Sequence, residues 1–291
     1  VTGKSSQVSL VKLGKVGKPI ITTIVVFYAA FFAIIPLISF ALESFLEVSG
    51  DYSTFTLYYW ITSEQTNAYI TGSVGIFRNK GIWRAFGNSL LISIICALIA
   101  GTFGILVGYG VAKKRGSRLA NYVSNLAFLP YLIPAMSFAT IYLIMSYTKA
   151  LSFLNGSLLL LIVVGSIKFL PFASKSGTNA MLQLSNEIEE AAIIVGVPWW
   201  KRMVRVLFPI QKSSFISGYL LPFVSCMREL TLFVLLTGSS TILTAVLQNY
   251  EKYDCVQISN GINLIIIVSV LVINLVVNKL TGASIDKGVG G

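Results

Sequence analysis

Three ionisable residues lie inside long apolar stretches of the sequence. They are Lys168, Arg228 and Glu229, and on helices that rise about 1.5 Å per residue each lies about 13 to 18 Å from the end of its stretch. An ionisable side chain at that depth in a bilayer costs about 2.5 to 3.5 kcal/mol and usually faces the protein interior or water. These residues therefore indicate either a structural contact or a polar pathway.

Two interpretations of these residues are open. Adjacent helical positions point about 100° apart, so Arg228 and Glu229 do not face one another, whereas a Lys168–Glu229 ion pair between helices would fix their packing. Alternatively, Arg228 lies on a translocation pathway, where its charge attracts an anionic solute or chelate. Both interpretations place the residues where helices face one another.

The sequence offers no catalytic or metal-binding set. It contains no His, which excludes Ser-His triads, His-metal sites and imidazole proton relays. The cysteines Cys96, Cys226 and Cys255 have no CxxC spacing, and the first two, which lie in apolar runs, are expected to act as small apolar residues. A G-x-x-x-x-G-K-[ST] phosphate loop is also absent. We therefore expect no catalytic residue, no metal site and no cofactor bound by this chain.

The composition is that of a membrane protein. Apolar residues make up 55% of the 291 residues and charged residues only 11%, with a mean hydropathy of +0.80, whereas globular proteins carry about 25% charged residues. The formal net charge of +11 indicates basic cytoplasmic loops rather than nucleic-acid binding. We expect an all-α integral membrane protein that contacts lipid and no nucleic acid.

Six apolar runs are long enough to cross a bilayer as helices. Pro130 and Pro134 interrupt the third run and predict a kink or a re-entrant turn there, and Lys168 interrupts the fourth. The sequence therefore predicts six transmembrane helices. The runs occupy residues 20–42, 85–112, 119–148, 150–174, 213–238 and 256–278.

The distribution of Lys and Arg predicts the orientation. If the N-terminus is cytoplasmic, fifteen of the 22 lie on the cytoplasmic side and five on the other. Because cytoplasmic loops are enriched in Lys and Arg, both termini and the loop 175–212 are expected in the cytoplasm. Residues 1–84 then form a tail, the first transmembrane helix and an outer loop, residues 85–280 a five-helix core, and residues 281–291 a cytoplasmic tail.

The loop 175–212 is expected to contain a helix–turn–helix elbow. Ser185 is a preferred N-cap residue, and acidic residues follow it in the first turn. Gly196 suits a left-handed C-terminal cap, and Pro198 suits the first turn of a second helix. Tryptophans beside Lys and Arg follow Pro198, a mixture typical of an element on the membrane surface.

The elbow carries a motif that resembles the EAA loop of binding-protein-dependent ABC transporter permeases. The family pattern is Glu-Ala-Ala, three residues, Gly, nine residues and Ile-x-Leu-Pro, from which Val206 and Phe208 depart conservatively. The resemblance covers residues 87–280 and implies a type I importer permease fold with a cytoplasmic coupling helix within residues 185–209. The matching residues are Glu190, Ala191, Ala192, Gly196 and Pro209.

The resemblance implies a separate ATPase subunit that binds ATP and Mg²⁺, so this chain is not itself an enzyme. Ala191 and Ala192 would let the helix settle into a groove of that subunit, Glu190 would offer a carboxylate, and Gly196 would set the elbow angle. The alternative is a simple amphipathic connector whose alanines serve helix propensity. Further implied partners are a second permease half, identical, paralogous or fused, and an extracytoplasmic substrate-binding protein at a prokaryotic inner membrane.

A second, shorter resemblance concerns the cargo. Residues 227–236 are similar to the fifth-helix segment of permeases for ferric iron, thiamine and aminoethylphosphonate, and the outer loop 250–254 is aromatic and acidic. We expect ferric iron, as the ion or a small chelate, ahead of thiamine, phosphonate, sulfate or a polyamine. An ion-coupled secondary transporter, with Glu229 and Lys168 as a relay near the midplane, is the alternative from a different class.

Overall fold

The computed structural model describes residues 14–64, 73–237 and 241–283. Within these ranges the chain is helical, and the predicted all-α class is confirmed; the predicted tail segments 1–13 and 284–291 lie outside the described residues. An isolated antiparallel β-bridge joins Leu46 and Phe55. The helices are α1 (Gly14–Glu43), α2 (Tyr58–Ile61), α3 (Lys80–Lys113), α4 (Arg118–Leu132), α5 (Ala135–Ser146), α6 (Leu158–Leu182), α7 (Asn186–Ile194), α8 (Trp199–Arg202), α9 (Phe208–Ile210), α10 (Lys212–Met227), α11 (Thr231–Val234), α12 (Leu243–Lys252) and α13 (Val256–Thr281).

The centre of the bundle is the packing of α3 against α6, with α10 against both. A Cβ atom built on Gly104 of α3 lies 2.4 Å from the Cβ of Ala173, and one built on Gly108 lies 2.4 Å from the backbone N of Thr178. Glycine at these positions lets the two backbones approach closely, which gains the van der Waals contact that holds membrane helices together.

The buried core follows this three-helix contact towards both ends of the bundle. At the elbow end, Phe215 of α10 and Leu207 are 0% and 1% exposed and pack with Ile105 of α3. At the other end, Leu161 of α6 packs in one cluster with Leu232 of α11. The core therefore fixes the elbow and the segment after α10 to the same pair of helices.

Helix α1 lies on the outside of the bundle. Its most apolar part buries no residue in the bundle, and the helix is long and apolar enough to cross a membrane. Its last part, Ile35–Glu43, contacts α13. A helix that is apolar all round must be surrounded by lipid or by another chain.

Four of the described helices, α1, α3, α6 and α13, are long and apolar enough to cross a membrane. Helices α4 and α5 make a fifth span if they are counted together, with a bend of 98° between them. The predicted kink or re-entrant turn is confirmed at Pro134, which has no N–H to continue the helix and keeps Ile133 extended, whereas Pro130 lies inside α4. The count of six spans stays a prediction.

The single helix predicted for residues 213–238 is wrong. Helix α10 ends at Met227, and its 16 residues fall short of the roughly 20 that span a bilayer; residue 238 lies outside the described residues. The Glu229 carboxylate accepts the backbone N–H of Leu232 at 2.9 Å, so it caps the start of α11. The apolar sequence continues across this break, which is why run length alone did not reveal it.

The variant Gly108→Ala is expected to lower the free energy of unfolding by about 1 to 3 kcal/mol, because its methyl group meets backbone atoms that no rotamer change can move. The matched control is Gly110→Ala in the same helix, where no atom lies within 4 Å of the added Cβ. That change should be neutral or stabilising by up to about 1 kcal/mol. Unfolding of the purified chain in detergent measures both, and equal stabilities would contradict the close packing of α3 on α6.

Candidate functional site

The elbow forms as a short helix, a tight turn and a second helix. Ser185 Oγ accepts the backbone N–H of Glu187 at 3.3 Å, and Gly196 takes a φ of +76°, so the predicted N-cap and left-handed turn are confirmed. Helix α8 begins at Trp199 with Pro198 as its N-cap, one residue earlier than the predicted first-turn position. The elbow angle therefore depends on a glycine conformation that other residues adopt at a cost.

The second arm of the elbow is irregular before Pro209. Because Pro209 has no N–H, the carbonyl of Arg205 loses its helical partner, and the chain forms a π-helical turn at Met203–Leu207 before α9. Met203 and Leu207 are buried in the cluster that joins α3, α6 and α10. The wide turn thus anchors this arm to the helical core.

The motif residues are placed on the free side of the elbow. Glu190, Ala191 and Pro209 are exposed, and Ala192 is half-buried. Beyond them, the elbow tip, defined here as residues 193–195, presents three branched apolar side chains that are 51%, 85% and 81% exposed. Apolar side chains this exposed at the end of a polar loop are typical of a docking surface.

The carboxylate that holds the elbow is Glu189, which directly precedes the Glu-Ala-Ala motif and is therefore not indicated by it. Its side chain is 3% exposed, with Oε2 2.6 Å from Lys113 Nζ and Oε1 3.5 Å from Arg202 Nε. Tyr109 OH donates to Oε1 at 2.6 Å. Since Lys113 and Tyr109 lie in the last turns of α3 and Arg202 lies in α8, Glu189 ties both arms of the elbow to α3.

The electrostatics of Glu189 favour its charged form. Burial raises the pKa of this carboxyl, but hydrogen bonds from Lys113 and Tyr109 and the charges of Lys113 and Arg202 outweigh burial, and the pKa lies below its ordinary value. Arg202 Nη1 also donates to the carbonyl of Val197 in the turn at 2.7 Å. The elbow is therefore closed by a carboxylate that is ionised at neutral pH.

Lys168 binds the broken end of α4. Its Nζ donates to the carbonyls of Pro130 at 2.9 Å and Ile133 at 2.6 Å, and lies 5.2 Å from the centroid of the Phe138 ring. These carbonyls have no helical N–H partner because Pro134 interrupts the chain, and a cation also complements the negative end of a helix. Lys168 thus stabilises the bend that Pro134 creates.

The predicted Lys168–Glu229 ion pair is wrong, because within the described residues ion pairs are recorded only at Glu189. The two charged groups bind backbone instead, Lys168 at the end of α4 and Glu229 at the start of α11. Arg228 is the exposed C-cap of α10. All three nevertheless line one cavity of about 740 Å³, so the structure brings the candidate pathway residues together.

Apolar helices of membrane-spanning length, an exposed elbow and a charged cavity among the helices are the architecture of a membrane transport protein. The particular family follows from its sequence. Residues 100–284 match the family described as "binding-protein-dependent transport system inner membrane component", and the chain belongs to this family.

The relatives of this chain are named as permeases for different solutes. The putative ferric transport system permease protein FbpB 1 of Haemophilus influenzae is 22% identical over 65% of this chain and 30% of its own length. The probable sulfate transport system permease protein cysT of Prototheca wickerhamii is 26% identical over 66% of this chain and 80% of its own. The chain spans 30% of the length of this ferric permease and of a second one, from Actinobacillus pleuropneumoniae.

A solved structure confirms the predicted fold class. The chain is similar to a bacterial ABC transporter involved in the import of the acidic polysaccharide alginate, with a TM-score of 0.65 over 90% of this chain and 94% of that chain. The sequences are 14% identical, so the likeness establishes the importer permease fold and not the cargo.

The variant Glu189→Gln is expected to loosen the elbow, because it leaves Lys113 and Arg202 without their counter-charge at a cost of about 2 kcal/mol or more. Amide hydrogen exchange of residues 185–197 should accelerate while that of α10 stays unchanged. In the unsubstituted protein the ion pairs should persist at neutral pH and weaken only as the pH falls below the ordinary carboxyl value of 4.5.

Glu187→Gln is the matched control, since Glu187 is an exposed carboxylate on the same helix without an ion pair among the described residues. Its exchange should stay close to that of the unsubstituted protein. The same acceleration in both variants would show that Glu189 has no special role in holding the elbow.

Proposed function

We propose that this chain is the permease subunit of an ATP-driven importer, which takes a small solute from a binding protein and passes it across the membrane. The observation that carries the proposal is the apolar elbow tip, residues 193–195, exposed beside the matched motif and fixed to α3 through Glu189. Force applied at the tip passes into α3 and, through its glycine contacts, into α6. This is the arrangement that a coupling element needs.

The partners follow from the same arrangement. ATP and Mg²⁺ bind to separate ATPase subunits that dock on the elbow tip, and a second permease half, identical, paralogous or fused, completes the pathway. An extracytoplasmic binding protein delivers the solute. The excess of Lys and Arg on the elbow side supports a cytoplasmic elbow and cytoplasmic termini in a prokaryotic inner membrane.

The proposed cargo is ferric iron, carried as the ion or a small chelate. Similarity to two ferric permeases and the segment around Arg228 and Glu229 support it. A sulfate permease is similar over the same share of this chain, so sulfate is the first competitor. The ion-relay alternative has less support, since Lys168 and Glu229 each bind backbone rather than one another.

The variant Gly196→Leu is expected to uncouple ATP hydrolysis from uptake while the permease stays in the membrane, because it changes the elbow angle. Glu190→Lys should do the same by reversing the charge beside the tip, and loss of a central docking contact commonly costs more than about 2 kcal/mol. Gly116→Leu is the matched control, since Gly116 also has a positive φ of +85° and no atom within 4 Å of an added Cβ, but lies outside the elbow.

The measurement is ATPase activity and solute uptake of the native complex in proteoliposomes. Gly116→Leu introduces the same backbone strain as Gly196→Leu but lies outside the elbow, so it should retain uptake. Wild-type uptake by both Gly196→Leu and Glu190→Lys would contradict the coupling role of the elbow.

For the cargo, deletion of the gene for this chain should reduce uptake of radiolabelled iron, and the gene supplied in trans should restore it. Sulfate uptake in the same cells is the control and should not change. Unchanged iron uptake in cells without a redundant importer would refute the iron assignment, and loss of sulfate uptake alone would assign sulfate instead.

A further inference from the structure

We propose that the cavity between the α4–α5 bend, α6 and the end of α10 binds the cargo as an anion. The cavity has a volume of about 740 Å³, within the range of small-molecule sites. Its walls combine aromatic side chains such as Phe169 and Phe172 with the charged groups of Lys168, Arg228 and Glu229. That the bound anion is the cargo rests on the proposed function. That the cavity binds an anion does not.

The charges of the cavity do not cancel. Two cations, Lys168 and Arg228, face one carboxylate, Glu229. The partners of Lys168 are neutral carbonyls, so its positive charge is stabilised but not neutralised, and the Glu229 carboxylate caps α11. The cavity therefore carries an excess positive charge, which repels a bare metal cation and attracts an anion.

Arg228 is the group with unused binding capacity. Within the described part of the chain its guanidinium has neither an ion-pair nor a hydrogen-bond partner, and its side chain is exposed. A guanidinium offers five N–H donors in a planar fork that matches a carboxylate or an oxyanion bidentately. A charged group among membrane helices usually pairs with another group or faces water.

The chemistry of the ligand follows. It is a small species with net negative charge and carboxylate or oxyanion oxygens, which bind the Arg228 fork while the ammonium of Lys168 adds attraction. If the cargo is iron, it passes this cavity as a negatively charged chelate and not as the free ion. The binding protein then selects the particular anion, since one arginine distinguishes anions from cations but not one anion from another.

The test uses the reactivity of a thiol in the cavity and needs no knowledge of the cargo. Ser225 lines the cavity, and Ser225→Cys in the full chain, purified in lipid nanodiscs, is treated with negatively or positively charged methanethiosulfonate reagents. Rates are normalised to those of a free thiol in solution. The three native cysteines are buried, so the chain without the substitution measures the background.

The anionic reagent should react faster than the cationic one. Adding Arg228→Gln should lower this preference by about fivefold or more, which is the effect expected of one charge at close range in a partly screened site. Arg228→Lys should retain the preference. Lys175→Gln, which removes a cation from α6 outside the cavity lining, should retain it as well.

Three results would overturn the inference: equal or greater reactivity of the cationic reagent, a preference that Arg228→Gln leaves unchanged, or no labelling at all, which would mean that water does not enter the cavity. An unchanged elution volume in gel filtration, with rescue by Arg228→Lys, excludes misfolding as the cause of a lost preference. If gene deletion leaves iron uptake unchanged, the proposed cargo is refuted. The thiol labelling would still determine the charge of the cavity.

Discussion

The close contact of α3 with α6 is the constraint on which the rest of the structure depends. It requires glycine at Gly104, Gly108 and Gly177, because an added Cβ at any of them lies within 3 Å of an atom of the opposite helix. The last turns of α3 hold Glu189 of the elbow, and the middle of α6 carries Lys168 into the cavity. One helix pair therefore connects the docking surface to the charged cavity.

A second constraint acts on the backbone. In lipid, polar backbone groups need partners within the protein, and this chain provides them with charged side chains where helices break. Lys168 binds the carbonyls at the α4–α5 bend, and the Glu229 carboxylate accepts the backbone N–H of Leu232 in the first turn of α11. The same helix breaks open a cavity between helices that would otherwise pack together. The buried charges, the broken helices and the cavity therefore all result from these breaks.

Much of this could be predicted from local sequence. Ser185 and Gly196 follow capping rules that need no tertiary information, and the bend follows from Pro134 alone. The rotation of α7 relative to the distant Lys113 decides which carboxylate of the elbow is buried. The motif indicates Glu190, whereas the structure buries Glu189. The partner of Lys168 could not be predicted either, because Pro134 indicates that the Pro130 carbonyl is freed but not which distant side chain reaches it.

Photo-crosslinking from the elbow tip tests most directly whether the elbow transmits work from an ATPase. A benzophenone amino acid placed at Ile194, the most exposed residue of the tip, is irradiated in native membranes, and the adducts are identified by mass spectrometry; Leu275 on the exposed side of α13 is the control position. Docking predicts adducts between Ile194 and a nucleotide-binding ATPase subunit and none from Leu275. Adducts of Ile194 with lipid alone would contradict the coupling role of the elbow.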